Sequence, residues 1–191
     1  MLEQKFSLWP VFALVAVFAL VGLWARPAHA ALKVGDKAPL FDTEASLAGK
    51  PFAFSLAQSL KKGPVVLYFY PKAFTSGCTV EANAFAEATP EFQKLGATVI
   101  GMSGDDIETL NKFSVQECRN KFAVGTASKK VIASYDVALP VVSGMSNRTS
   151  YVIAPDGKII FVHSAMSVKG HVEGTMEAVR NWAKAQQHHH H

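Results

Sequence analysis

The segment Val65-Val66-Leu67-Tyr68-Phe69-Tyr70 confines the fold more than any other stretch of the chain. It is continuous, β-branched and aromatic, and it lies between Gly63-Pro64 and Pro71, so it reads as a short strand with no polar face. Such a strand has to be covered above and below, which calls for helices on both faces of a sheet in which it is an interior member. The flanking sequence supplies them. Residues 78–95 place Phe85, Ala88, Phe92 and Leu95 at helical spacing, with Gly96 as a stop and Thr89-Pro90 marking a kink or a second helix start. Residues 97–102 read as the next strand, and Asp105 or Asp106 can cap a helix carrying Ile107, Leu110 and Phe113. Further on, 149–153 and 159–162 flank Pro155-Asp156-Gly157, a turn suited to antiparallel reversal, and a last helix over about 168–185 aligns Val172, Met176, Val179 and Trp182. The order describes an α/β domain with a mixed central β-sheet flanked by helices.

That element order suits a thioredoxin-like fold. It accounts for the chain from Ala31 onward, because the residues before it are of another kind. No charged residue occurs from Phe6 to Ala25, and this block stands between Lys5 and Pro27, followed by Ala28-His29-Ala30. A basic start, an apolar middle and a small-x-small site are the parts of an export signal, so residues 1–30 are expected to be a signal peptide cut after Ala30. An uncleaved anchor is the alternative, since about 20 apolar residues span a bilayer. Either way the domain is expected outside the cytoplasm, exported to the periplasm or anchored facing it. The domain itself is placed at 31–187, with His188 to His191 read as a tag or solvated tail.

Composition narrows the function classes. Without Lys5, Arg26 and Glu3, the 19 basic and 15 acidic residues of the chain fall to 17 and 14, a mild net charge of +3. The lysines are scattered, with no basic stripe interleaved with aromatics, so nucleic acid is not an expected partner. With 49% hydrophobic and 18% charged residues the chain is neither disordered nor a disulfide-dense miniature. Neither G-x-x-x-x-G-K-[ST] nor G-x-G-x-x-G is present, and His163 and His171 have no cysteine near them in sequence, so no cofactor or metal is expected.

Of the two cysteines, Cys78 is the informative one. It follows the buried strand by the loop Pro71-Lys72-Ala73-Phe74-Thr75-Ser76-Gly77 and opens the helix, which sets its sulfur among unpaired amides at the positive end of the helix dipole. That position favours the thiolate, the nucleophilic form. A lone cysteine is otherwise most often a small hydrophobe, a reading that the strand-loop-helix position argues against. A Cys-x-x-Cys dithiol enzyme is excluded, because Thr75 stands where the first thiol belongs.

The segment from Pro71 to Cys78 matches the Pro-x-x-x-Thr-x-x-Cys signature of the peroxiredoxins. Val99-Ile100-Gly101-Met102-Ser103 with Asp105, and Arg148-Thr149-Ser150-Tyr151-Val152-Ile153 before Asp156-Gly157, follow in the same order. The chain from about 34 to 182 resembles that family, in particular its bacterioferritin-comigratory, or peroxiredoxin Q, branch. The resemblance implies a thiol peroxidase acting on hydrogen peroxide or organic hydroperoxides. Cys78 would be the peroxidatic nucleophile, Thr75 the hydroxyl that bonds the peroxide, and Pro71 the shield of the pocket. Arg148 would be the cation beside the sulfur, where a fixed charge favours thiolate and polarises the peroxide. Glu81, one turn after Cys78, would orient the arginine, although as a helix-start carboxylate it reads equally well as solvated. Tyr70 lines the pocket or belongs to the core.

Attack on peroxide leaves a sulfenic acid that a second thiol can condense with. In this branch the second cysteine often stands five residues after the first, and here that position is Asn83. Others of the family resolve from the helix after the second strand, and Cys118 lies at or just past the end of such a helix. Cys118 is therefore expected to resolve Cys78 within one chain, the disulfide being reduced by a thioredoxin-like donor. A permanent structural disulfide is the alternative in an exported protein. A thioredoxin-fold oxidoreductase or a redox interaction domain without catalysis is the competing function, and a monomer or weak homodimer the expected assembly.

Overall fold

The computed structural model of the protein describes residues 31–188. The expected export segment, 1–30, and the end of the histidine tail lie outside the described residues. A hairpin opens the domain, β1 (Asp42–Leu47) and β2 (Lys50–Ser55), followed by α1 (Leu56–Leu60) and β3 (Val65–Phe69). Next come α2 (Ser76–Lys94), β4 (Thr98–Ser103), α3 (Ile107–Gln116), β5 (Ala123–Thr126) and α4 (Lys129–Ser134). The hairpin β6 (Thr149–Ile153) and β7 (Ile159–Ser164) leads to α5 (His171–His188).

One 7-stranded sheet results, in the order β2-β1-β5-β4-β3-β6-β7. β3 pairs in parallel with β4 and antiparallel with β6, so it is an interior strand, and every residue of it is buried. Its side chains alternate between two apolar layers, as a period of two demands. Leu67 and Phe69 join Ile100, Met102, Tyr151 and Ile153 on one face, while Val66 and Tyr68 join Val99, Val124 and Val152 on the other. The first layer is closed by Leu56 and Leu60 of α1 and Ile132 of α4. The second is closed by α2, α3 and α5 and contains both cysteines. Gly101 has its place in this second layer because a Cβ there would lie 2.7 Å from the Tyr68 ring.

Three expectations shift. The last helix starts at His171 and not near 168, because the chain turns at Gly170 (φ +89). Pro90 does not break the second helix: α2 is continuous through it, and the Thr89 hydroxyl donates to the Phe85 carbonyl at 2.7 Å. Asp106 alone caps α3, accepting from the Thr109 amide at 2.7 Å. Among the described residues no helix is long and apolar enough to cross a membrane.

Candidate active site

Strand pairing assembles the site. Phe69, the last residue of β3, pairs with Thr149, the first of β6, and with Met102 of β4. The loop leaving β3, the residue before β6 and the loop leaving β4 are thereby brought to one edge of the sheet, the edge where the parallel strands end and where α/β folds place their sites. Arg148 reaches Cys78 there across 70 positions of sequence.

Thr75 is the N-cap of α2, and Cys78 is the helix's third residue, in its first turn rather than at its opening position. The amides of this turn have no partner within the helix, which gives the sulfur the positive helix end expected of it. Cys78 is nearly sealed, at 1% exposure, and Arg148 Nη2 stands 3.5 Å from its Sγ. The same guanidinium donates from Nη1 to Glu81 Oε2 at 2.5 Å and from Nε to the Met166 carbonyl at 2.8 Å, so all three of its nitrogens are fixed. Gly77 permits this approach, since a Cβ at that position would lie 3.0 Å from Arg148 Nη2.

The electrostatics follow from burial. Burial works to lower the Arg148 pKa, but Glu81 and then Cys78 outweigh it and hold the guanidinium above its ordinary value. Glu81 is 1% exposed, and burial lifts its carboxyl to about 7 against the lowering pull of Arg148. The solvated reading of Glu81 is thus corrected: it lies one turn after Cys78 on the face that α2 turns inward. His171, fully buried at the head of α5, bonds Ser150 through Nδ1 at 2.8 Å and the Ala165 carbonyl through Nε2 at 2.9 Å, and burial lowers it to about 4.

The loop before the helix is braced. Asp105 accepts from the Ala73 amide at 2.8 Å and from the Ser103 hydroxyl at 2.7 Å, tying the loop to the end of β4. Phe74 holds a left-handed backbone (φ 66), a costly conformation for a bulky residue, with its ring edge-on to Phe113 at 5.2 Å. Thr75 is exposed and donates its hydroxyl proton to the Lys72 carbonyl at 2.8 Å. Its oxygen lone pairs are therefore left to accept. Pro71 is half-buried at the loop's start. Tyr70 belongs to the core, fully buried and stacked on Phe113 at 5.6 Å.

Cys118 lies two residues past α3 and is fully buried in the same apolar layer as Cys78. Both thiols are free. Burial, then the Glu117 charge, push the Cys118 thiol well above its usual range. Asn83, where the branch often has its second cysteine, donates instead to the Thr79 carbonyl and to Glu117, tying α2 to the Cys118 segment. That segment bends through two consecutive left-handed residues, Arg119 (φ 51) and Asn120 (φ 59).

The structure thus brings together Cys78, Arg148 and Glu81 from the residues expected at the site, keeps Thr75 and Pro71 on the adjoining loop, and sets Cys118 behind in the core. Gly77, Ser150 and His171 were not legible as site residues. Gly77 occupies a variable position of the signature, and His171 has no sequence neighbour that suggests a role. Among the described residues no three His, Cys, Asp or Glu side chains are grouped to hold a metal.

A cysteine in the first turn of a helix, clasped by a buried guanidinium on a thioredoxin-like sheet, defines a thiol-based redox enzyme. The family model described as AhpC/TSA matches residues 34–162. Peroxiredoxin Bcp of Xanthomonas campestris pv. campestris is 29% identical over 126 residues, 63% of this chain and 78% of that protein. The chloroplastic peroxiredoxin Q of Sedum lineare is 29% identical over 134 residues, 70% of each. The crystal structure of peroxidoxin BcpB from Mycobacterium tuberculosis superposes with a TM-score of 0.71 at 30% identity, covering 78% of this chain and 97% of that one. The reduced 2-Cys peroxiredoxin of Plasmodium vivax, at 24% identity and TM-score 0.71 over 83% of this chain and 84% of its own, shares the fold. The chain belongs to the AhpC/TSA family and is a peroxiredoxin, a thiol peroxidase.

Proposed function

We propose that the protein reduces hydrogen peroxide and organic hydroperoxides through Cys78, resolves the product with Cys118, and is recharged by a thioredoxin-like donor outside the cytoplasm. The observation that carries this reading is the 3.5 Å approach of Arg148 Nη2 to Cys78 Sγ, with Glu81 fixing the opposite side of the guanidinium. The thiolate attacks one peroxide oxygen; an S–O bond forms as the O–O bond breaks. The sulfur gives two electrons to the peroxide, and the leaving oxygen departs as water or alcohol after taking a proton. Arg148 and the helix amides face the charge that builds on the oxygens, and the Thr75 oxygen, its own proton committed to Lys72, accepts from the peroxide O–H. Peroxide consumption with dithiothreitol is expected to vanish in Cys78→Ser, and undiminished turnover in that variant would overturn the reading.

Resolution requires movement. Cys118 is buried and its thiol protonated, so it attacks the sulfenic acid only after its segment and the first turn of α2 open. The left-handed pair Arg119 and Asn120 supports this, because strain beside Cys118 lowers the cost of unwinding it. Cys118→Ser is expected to keep turnover with dithiothreitol and lose it with a thioredoxin-type reductant; normal turnover with the latter would remove Cys118 from the cycle. Export rests on the uncharged block from Phe6 to Ala25 ahead of Ala28-His29-Ala30. A mature N-terminus at Ala31 in the periplasmic fraction is the expected result, and the intact leader on a membrane-bound protein would establish the anchor instead. Sedimentation at working concentrations is expected to give a monomer or weak homodimer.

A further inference from the structure

Behind Arg148 lies an imidazole that solvent does not reach. Nε2 of His171 faces the Ala165 carbonyl, which can only accept, so Nε2 carries the ring hydrogen, and in the neutral ring Nδ1 accepts from the Ser150 hydroxyl. Opposite Nδ1, at 3.7 Å, is Glu81 Oε1, the carboxylate oxygen that Arg148 does not use and that has no hydrogen-bond partner among the described residues. Two buried acceptors therefore face each other across 3.7 Å. An unpartnered buried carboxylate oxygen bears its full desolvation cost, and a proton in that gap removes it.

The charges around the gap say when the proton is held. Glu81 borders it from α2; Arg148, the residue before β6, grips the other oxygen of Glu81 and carries Cys78 on its far side; Tyr68 of β3 interacts with Glu81; and His163 of β7 sets its ring 4.5 Å from that of His171. His163 directs Nε2 at the Lys169 carbonyl, which fixes that hydrogen. With Cys78 as thiolate, the buried Cys78, Arg148 and Glu81 sum to one net negative charge, and one added proton neutralises them. We propose that Glu81 and His171 form a one-proton site linked to the charge on Cys78, holding a proton while the sulfur is a thiolate and releasing it when the thiolate is consumed. His171 is then a positioning residue that acts through Glu81 and Arg148. Burial raises Glu81 to about 7 and lowers His171 to about 4, which seats the first proton on the carboxyl side of the gap. The inference rests on Cys78 as the attacking thiol. In that reaction thiolate, peroxide and one proton give sulfenic acid and water or alcohol, and the proton freed by the pair equals in number the one the leaving oxygen takes up.

The test is a nuclear magnetic resonance titration of the reduced full domain, following the His171 ring nitrogens and the Glu81 carboxyl carbon. One midpoint near neutrality, seen at both groups as the first proton leaves, is expected, falling by about one pH unit in Cys78→Ser, where the hydroxyl stays neutral. Ser150→Ala, which removes the competing donor at Nδ1, is expected to move the midpoint up. A His171 ring that does not respond at the Glu81 midpoint near neutrality, or a midpoint there unmoved in Cys78→Ser, overturns the inference. The peroxide assay separates the two failures: an active wild type whose pair ignores Cys78 refutes the linkage alone, whereas a Cys78→Ser variant that still consumes peroxide refutes the reading beneath it.

Discussion

At the scale of single residues, Arg148 is the group on which the proposed chemistry turns. It spends each nitrogen on a different partner, Met166, Glu81 and Cys78, and a point charge on a flexible stem cannot span all three. Arg148→Met is expected to lower kcat/KM for hydrogen peroxide by about 10²–10³-fold, the loss typical of removing one preorganised charge-stabilising group. The thiolate absorbance of Cys78 should titrate at higher pH in the same variant, and Arg148→Lys should restore little of either. An Arg148→Met variant with an unchanged thiolate titration would show that the helix end alone ionises the sulfur. Arg148 could be found in the sequence only through the segment that resembles the family, since an isolated arginine before a strand reads as surface. Its burial follows from the pairing of Phe69 with Thr149, a contact no local pattern contains.

At the scale of elements, the site depends on a loop between β3 and α2 that β4 holds in place. Asp105 does not cap α3, which Asp106 does, but grips the Ala73 amide and the Ser103 hydroxyl. Hydrogen bonds to a charged acceptor contribute about 1.5–3 kcal/mol each, and here they also restrain the strained Phe74. Asp105→Ala is expected to destabilise the fold by about 2 kcal/mol in urea unfolding. It should also cut kcat/KM about tenfold while leaving the thiolate titration in place, because Thr75 shifts but the contact between Arg148 and Cys78 does not. Loss of thiolate in this variant would mean that the loop, and not the arginine, sets the ionisation. The elements with strong periodicity or caps were legible: β3, α2, β4, α3, the β6-β7 hairpin and α5. The β1-β2 hairpin, β5 and α4 were not, for they are short and weakly patterned. β1, for example, is held by its pairing with β5, Ala45 opposite Gly125.

At the scale of the whole molecule, α2 and α5 meet through two groups whose ionisation opposes each other. Glu81 is raised from 4.5 to about 7, so the stability it contributes is fully present below about 4.5 and is lost as pH rises through about 7. His171 is lowered from 6.5 to about 4, so its contribution is present above about 6.5 and is lost as pH falls through about 4. Between about 4.5 and 6.5 the two slopes cancel. Removing either partner should uncover the other, at up to about 1.4 kcal/mol per pH unit. Urea midpoints of Glu81→Gln are expected to fall on acidification across that window and those of His171→Gln to rise. Two flat profiles would show that neither group changes its proton affinity on folding.

The buried strand, the helix that follows it and the cysteine between them are written in local sequence, because side-chain period, capping and turn chemistry act over a few neighbouring residues. Only the tertiary structure decided what surrounds the sulfur. Glu81, His171 and Ser150 come from α2, α5 and β6, and Arg148 from the residue before β6, and their meeting depends on strand order and register, which long-range packing sets. The same is true of Cys118: its place after the second strand suggests a partner for Cys78, but its burial belongs to the folded core.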